Sequence, residues 1–136
     1  MKNKIKSHYE LLEFLTNCSD KEKYIACTTP VIISNIFALS HIMQSIRNDL
    51  GTPIIITSGF RDVEHNNRVG GVRNSQHLNG SACDFVCPGV SDYRKLSERI
   101  DDLVQYDQMI VYDNFIHLSY NREYNRNQII HKTKFT

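Results

Sequence analysis

Twenty-four residues from Ser58 to Ser81 constrain this chain more than any other stretch. They show neither helical nor strand periodicity, hold four of the six glycines, and are rich in Asn and Arg. On either side the pattern is regular. Ile54-Ile55-Ile56-Thr57 is a β-branched run of strand character, and Ala82 to Val86 reads as a second strand. A long irregular segment inside a compact domain is uncommon and tends to carry function. The fold must therefore hold these residues between two strands of one sheet.

The flanks supply that sheet and its helices. Tyr9, Leu11, Leu12, Phe14 and Leu15 predict a short helix over 7–16. Ile36, Leu39, Met43, Ile46 and Leu50 recur at helical spacing, which predicts a helix over 35–50 with Asn35 as N-cap and Gly51 at its C-terminal end. Ser91 or Asp92 caps a further helix running to Leu103. Asp107 to Val111 and Phe115 to Tyr120 read as two strands joined by a tight Tyr112-Asp113-Asn114 turn, and Gln128-Ile129-Ile130 as an edge strand. The expected architecture is one α+β domain spanning 1–136, a small antiparallel sheet with flanking helices.

Composition excludes several function classes. With 136 residues the chain can bury one core, and its formal net charge of +1 offers no bulk attraction to nucleic acid or an anionic surface. No run reaches the roughly 20 apolar residues that span a bilayer. The N-terminus lacks the apolar core and cleavage site of a secretory signal, so synthesis in the cytoplasm is expected. Cys18, Cys27, Cys83 and Cys87 contain no C-x-x-C pair and are expected to be thiols rather than a disulfide framework or a zinc cluster. No feature asks for a second copy, and a monomer is expected.

Among the six histidines, His8 and His41 lie on predicted helices with no acidic partner at ligand spacing, and His65 and His131 are unremarkable. His77 differs. Six residues separate it from Asp84, over small Gly80, Ser81 and Ala82, so the chain can turn and bring a strand-borne carboxylate back beside the imidazole. Asp84 sits between Cys83 and Phe85, and a carboxylate among apolar neighbours needs a partner. His117, in Phe115-Ile116-His117-Leu118, has the same character. These residues alone allow two readings: a metal site, or a satisfied core histidine with a capping or Arg-paired aspartate.

The order of motifs adds weight to the first. Ser58-Gly59-Phe60-Arg61 is followed by Asn67-Arg68-Val69-Gly70-Gly71 (or the same run counted from Asn66). Then come Ser75, His77, Gly80, Ala82 and Asp84, and later His117 with apolar flanks. Over roughly residues 30–130 this resembles the zinc D-Ala-D-Ala carboxypeptidases and the related phage endolysin peptidases. The resemblance implies a hedgehog/DD-peptidase-like fold, Zn²⁺ held by His77, Asp84 and His117, and peptidoglycan peptides as substrate. It implies hydrolysis as a carboxypeptidase or as an endopeptidase between L-Ala and a D-residue. A phage or prophage lytic enzyme would reach the wall by another route of release.

Other roles follow from chemistry beside that resemblance. Arg61 suits binding of substrate or of a developing oxyanion, and Ser75 a hydrogen bond to the peptide or to a ligand. Gly70-Gly71 allow a tight loop. The family's usual acid three residues before the last histidine is here Asn114, which cannot accept a proton from water. Asp113, in the turn, and Asp107, at a strand start, are the two candidate bases. A zinc-stabilised binding module that does not hydrolyse is the alternative.

Overall fold

The computed structural model describes residues 29–61, 63–71 and 75–132. The helix predicted over 7–16, together with His8, Cys18 and Cys27, lies outside them. Helix α1, Pro30–Leu50, starts earlier than its periodicity predicts: Thr29 is the N-cap, its side chain accepting from the backbone N–H of Ile32, and Pro30 follows as the first helical residue. The buried stripe begins only at Ile36, because Pro30 and Val31 face solvent. Apolar spacing therefore detects the packed part of the helix and misses its opening turn. Asn35 instead ties α1 to its surroundings, donating to the carbonyl of Asn79 and accepting from Arg122. The helix ends at Gly51 as the pattern predicts.

Strand β1 is Ile55–Ser58, and the irregular stretch after it contains helix α2, Val63–Arg68, and a single 3-10 turn, Gln76–Asn79. Both are too short to show a repeat in sequence. Strand β2 is Ala82–Val86, helix α3 is Tyr93–Leu103 with Asp92 as N-cap, and strands β3, β4 and β5 are Gln108–Tyr112, Ile116–Ser119 and Gln128–Lys132. They form one five-stranded sheet in the order β1-β2-β4-β3-β5. The pairs β1–β2, β2–β4 and β3–β4 are antiparallel, as expected of this α+β class, and β5 adds to the edge of β3 in parallel.

Strand alternation divides the sheet chemically. Ile56, Cys83, Phe85, Met109, Val111, Ile116 and Leu118 are buried on one face in a core shared with Ile36, Leu39, Met43 and Ile46 of α1 and Leu96 and Ile100 of α3. Each such aliphatic or aromatic side chain contributes about 1.5–3 kcal/mol by leaving water. Because side chains alternate, Asp84, Ile110, Tyr112 and His117 must then point to the opposite face. Cys83 and Cys87 are buried free thiols. Among the described residues no helix is long and apolar enough to cross a membrane.

Candidate metal centre

Cross-strand register assembles two of the three candidate ligands. Asp84 of β2 is the direct partner of His117 of β4, and His117 is in turn the partner of Ile110 of β3. On the other side Ser58 pairs with Asp84 across a bulge in β1, where two residues of β1 answer one step of β2. The bulge turns Ser58 onto the same face as Asp84 although Ile56 points into the core. Re-aiming a side chain is a common use of such bulges.

The third candidate ligand arrives on the 3-10 turn. Ser75 caps it, its hydroxyl accepting from the backbone N–H of His77, and the turn closes at Gly80 with φ +76°. A side chain at Gly80 would run into Ile32 and Ile36 of α1, so the turn lies flush against that helix. His77 is thereby buried, and its backbone carbonyl accepts from the N–H of Arg61 at 3.0 Å. Its Nδ1 sits 2.6 Å from the carbonyl oxygen of Gly59.

A carbonyl oxygen can only accept, so Nδ1 of His77 carries the proton and Nε2 of the neutral ring is left with a lone pair. That Nε2 faces Oδ1 of Asp84 at 3.3 Å, and Nδ1 of His117 faces the same oxygen at 2.8 Å. Two acceptors held this close are stable only around a shared cation, a proton or a metal ion. Donor atoms of the three side chains all lie within 4.8 Å of one another. Two ligands each about 2.0–2.1 Å from a tetrahedral zinc are separated by about 3.3 Å, so the arrangement fits that ion. The donor set, two imidazoles and a carboxylate with the remote nitrogen of one imidazole fixed by a carbonyl, suits zinc chemically.

Electrostatics points the same way. Burial pushes the Asp84 carboxyl up, but the two imidazoles beside it, His117 nearer than His77, outweigh burial and hold the group well below the usual carboxylate range. Arg61 stands 3.6 Å from the other carboxylate oxygen, Oδ2. Its guanidinium is oriented by donation to the Ser58 hydroxyl at 3.3 Å and to Oδ1 of Asn66 at 3.2 Å. Asn66 is itself buried, and a side chain at Gly71 would occupy the space of the Asn66 and Arg61 side chains. Gly71 thus serves a close approach that orients Arg61, while Gly70 supplies the φ of +73° just before it.

A cavity of about 490 Å³ opens over the cluster. Arg61, Ser75, His77, Asp84 and His117 line it, as does a second group that local pattern does not reveal: Gln76, Tyr112, Arg126 and Lys132. Among the described residues lining it, Asp84 is the one carboxylate.

The two candidate bases are placed elsewhere. Asp113 is an exposed turn residue and does not line the cavity. Asp107 is buried and committed: both oxygens accept from Arg126, at 3.0 and 2.8 Å, and Oδ2 also accepts from Gln76 at 2.9 Å. Its carboxylate lines an adjoining hollow with Glu123 and Tyr124 instead. Asp107 therefore positions Gln76, the residue before His77, and Arg126.

No curated protein matches the chain. A family model described as Peptidase M15 matches residues 7–119, a span that includes His77, Asp84 and His117. With that match over most of its length, and with a His-Asp-His cluster built on a mixed five-stranded sheet, the chain belongs to the Peptidase M15 family.

Proposed function

We propose that this protein is a zinc-dependent peptidase that hydrolyses peptidoglycan stem peptides, removing a terminal D-Ala or cutting between L-Ala and a D-residue. A phage or prophage lytic role, exercised on the wall after release from the cell, accords with this reading. The observation that carries it is the fixed tautomer of His77. Its Nδ1–H is spent on Gly59, so Nε2 is presented with Asp84 and His117 to a single point at the floor of an open cavity.

When bound there, zinc supplies a water of lowered pKa and a Lewis acid for the scissile carbonyl. The chain's own residues supply the rest. Arg61, anchored by Ser58 and Asn66, directs guanidinium N–H groups into the cavity, where they can hold a substrate oxygen without reorganising. Ser75 holds the His77 turn in place from the cavity wall.

The test is to load the purified protein with zinc, incubate it with muropeptides and follow the products by mass spectrometry. Release of D-Ala, or of a peptide ending at L-Ala, supports the proposal. An intact, zinc-bound protein that leaves every muropeptide uncut would sink it. One observation favours a second reading, a zinc-stabilised module that binds wall peptides without cutting them: no carboxylate besides Asp84 lines the cavity among the described residues. Muropeptide binding without products in the same experiment would support that module.

A further inference from the structure

Three cationic side chains line the cavity, and they are not equivalent. Arg61 is paired with Asp84, and Arg126 with Asp107. Lys132 has no ion-pair partner among the described residues. Its ammonium lies 5.9 Å from the centre of the Tyr112 ring, which is stacked on Phe115 at 4.2 Å with an interplanar angle of 9°. The register explains why it is there. Lys132 is the parallel partner of Tyr112, so both side chains stand on the face that carries Asp84 and His117. Without the added parallel strand this end of the cavity would be open.

We propose that Lys132 is a specificity-determining anchor for a free carboxylate of the peptide substrate. The inference rests on the peptide-binding role proposed above for this cavity. An ammonium with no carboxylate partner among the described residues, held against an aromatic ring at the wall of a site, is available to a ligand anion in a way that Arg61 and Arg126 are not. β5 lies two strand spacings from β4, roughly 10 Å, which is the reach of about three residues of extended peptide. The carboxylate it holds thus belongs to the substrate a few residues from the cleaved bond. Peptides long enough to span that distance are favoured over a bare dipeptide.

The experiment uses the full chain stripped of metal, so that binding is read without turnover. Titration calorimetry compares a synthetic pentapeptide stem bearing free carboxylates with the same peptide fully amidated, against wild type, Lys132→Arg and Lys132→Ala. Lys132→Ala is expected to weaken the free-acid peptide about fivefold, the size of a partly exposed charge pair, and to leave the amidated peptide unchanged. Lys132→Arg should keep most of the wild-type affinity. In the zinc-loaded protein the same loss should appear in KM with kcat unchanged. Equal weakening of both peptides, or of neither, overturns the assignment. Carboxylate-dependent binding by a protein that cuts nothing would count against the peptidase reading and leave Lys132 in its role.

Discussion

Nδ1 of His77 donates to the carbonyl oxygen of Gly59 across 2.6 Å, and this contact decides which nitrogen of the ring faces the cavity. With that donor spent on backbone, the nitrogen opposite Asp84 in the neutral ring carries a lone pair that a metal ion can use. We predict one zinc per chain for wild type, and less than about a tenth of that for His77→Ala or His117→Ala, because two remaining donors do not form a tight site. Zinc at 100-fold excess over its dissociation constant should stabilise the wild type by about 2.7 kcal/mol. At roughly 3 °C per kcal/mol this is a rise of about 8 °C in Tm, absent from the variants. Elemental analysis and a melting curve with and without chelator check both statements.

Gly70 and Gly71 are adjacent, yet a side chain at each meets a different obstacle. A Cβ at Gly71 would strike the side chains of Asn66 and Arg61, whereas one at Gly70 meets nothing but needs φ +73°. Gly71→Ala should therefore cost about 1–3 kcal/mol by overpacking and also reduce kcat/KM, since the displaced group is Arg61. Gly70→Ala should cost only about 1–2 kcal/mol, the strain of a left-handed alanine. Urea unfolding of both variants measures the first quantity, and peptide turnover by Gly71→Ala the second. Equal activity of Gly71→Ala and wild type would show that the Asn66–Arg61 contact does not orient a working guanidinium.

The three clustered residues stand out in the sequence through local pattern, but it is the order of motifs resembling a known family that makes them candidate ligands. His77 and Asp84 are joined by small residues, and Asp84 and His117 occupy polar positions inside otherwise apolar alternation. What pattern could not reveal depends on pairing between distant segments. The Arg126–Asp107–Gln76 clamp joins residues 19 and 31 apart in sequence. Lys132 reaches the cavity only through the parallel addition of β5 to β3, and no local signal specifies that partner. The start of α1 was misplaced for a related reason: its first turn is exposed and has no apolar stripe to betray it. The same limit affected the candidate bases, whose direction depends on how the β3–β4 hairpin sits.

Asp113 and its neighbour Tyr112 illustrate that point. Tyr112 lines the cavity, while Asp113 is exposed in the turn and does not. A general base contributes about 10²–10⁴-fold to turnover. From its position we expect Asp113→Asn to change kcat by less than about twofold, at unchanged zinc content. A loss of a hundredfold or more would place Asp113 within reach of the reacting water and require the hairpin to rearrange on binding substrate.

Acid sensitivity should report the Arg126–Asp107 pair. Hydrogen bonds from Arg126 hold the Asp107 carboxyl down at about 2, against the opposing effect of burial, from an ordinary value of 3.8. A carboxyl whose folded pKa is depressed stabilises the fold above its unfolded value, and the contribution disappears as pH falls through the folded one. The window is therefore pH 4 down to 2. Arg126 is half-exposed, so the contribution is discounted for solvent screening to about 1 kcal/mol. Asp107→Asn removes the titration but keeps the shape. The stability difference between wild type and this variant should be constant above pH 5 or so, narrow between pH 4 and 2, and shrink in 1 M salt. Taking the difference also cancels the acid response of Asp84, which both proteins share. Stability curves that stay parallel down to pH 2 would mean that the clamp orients Gln76 and Arg126 without stabilising the fold.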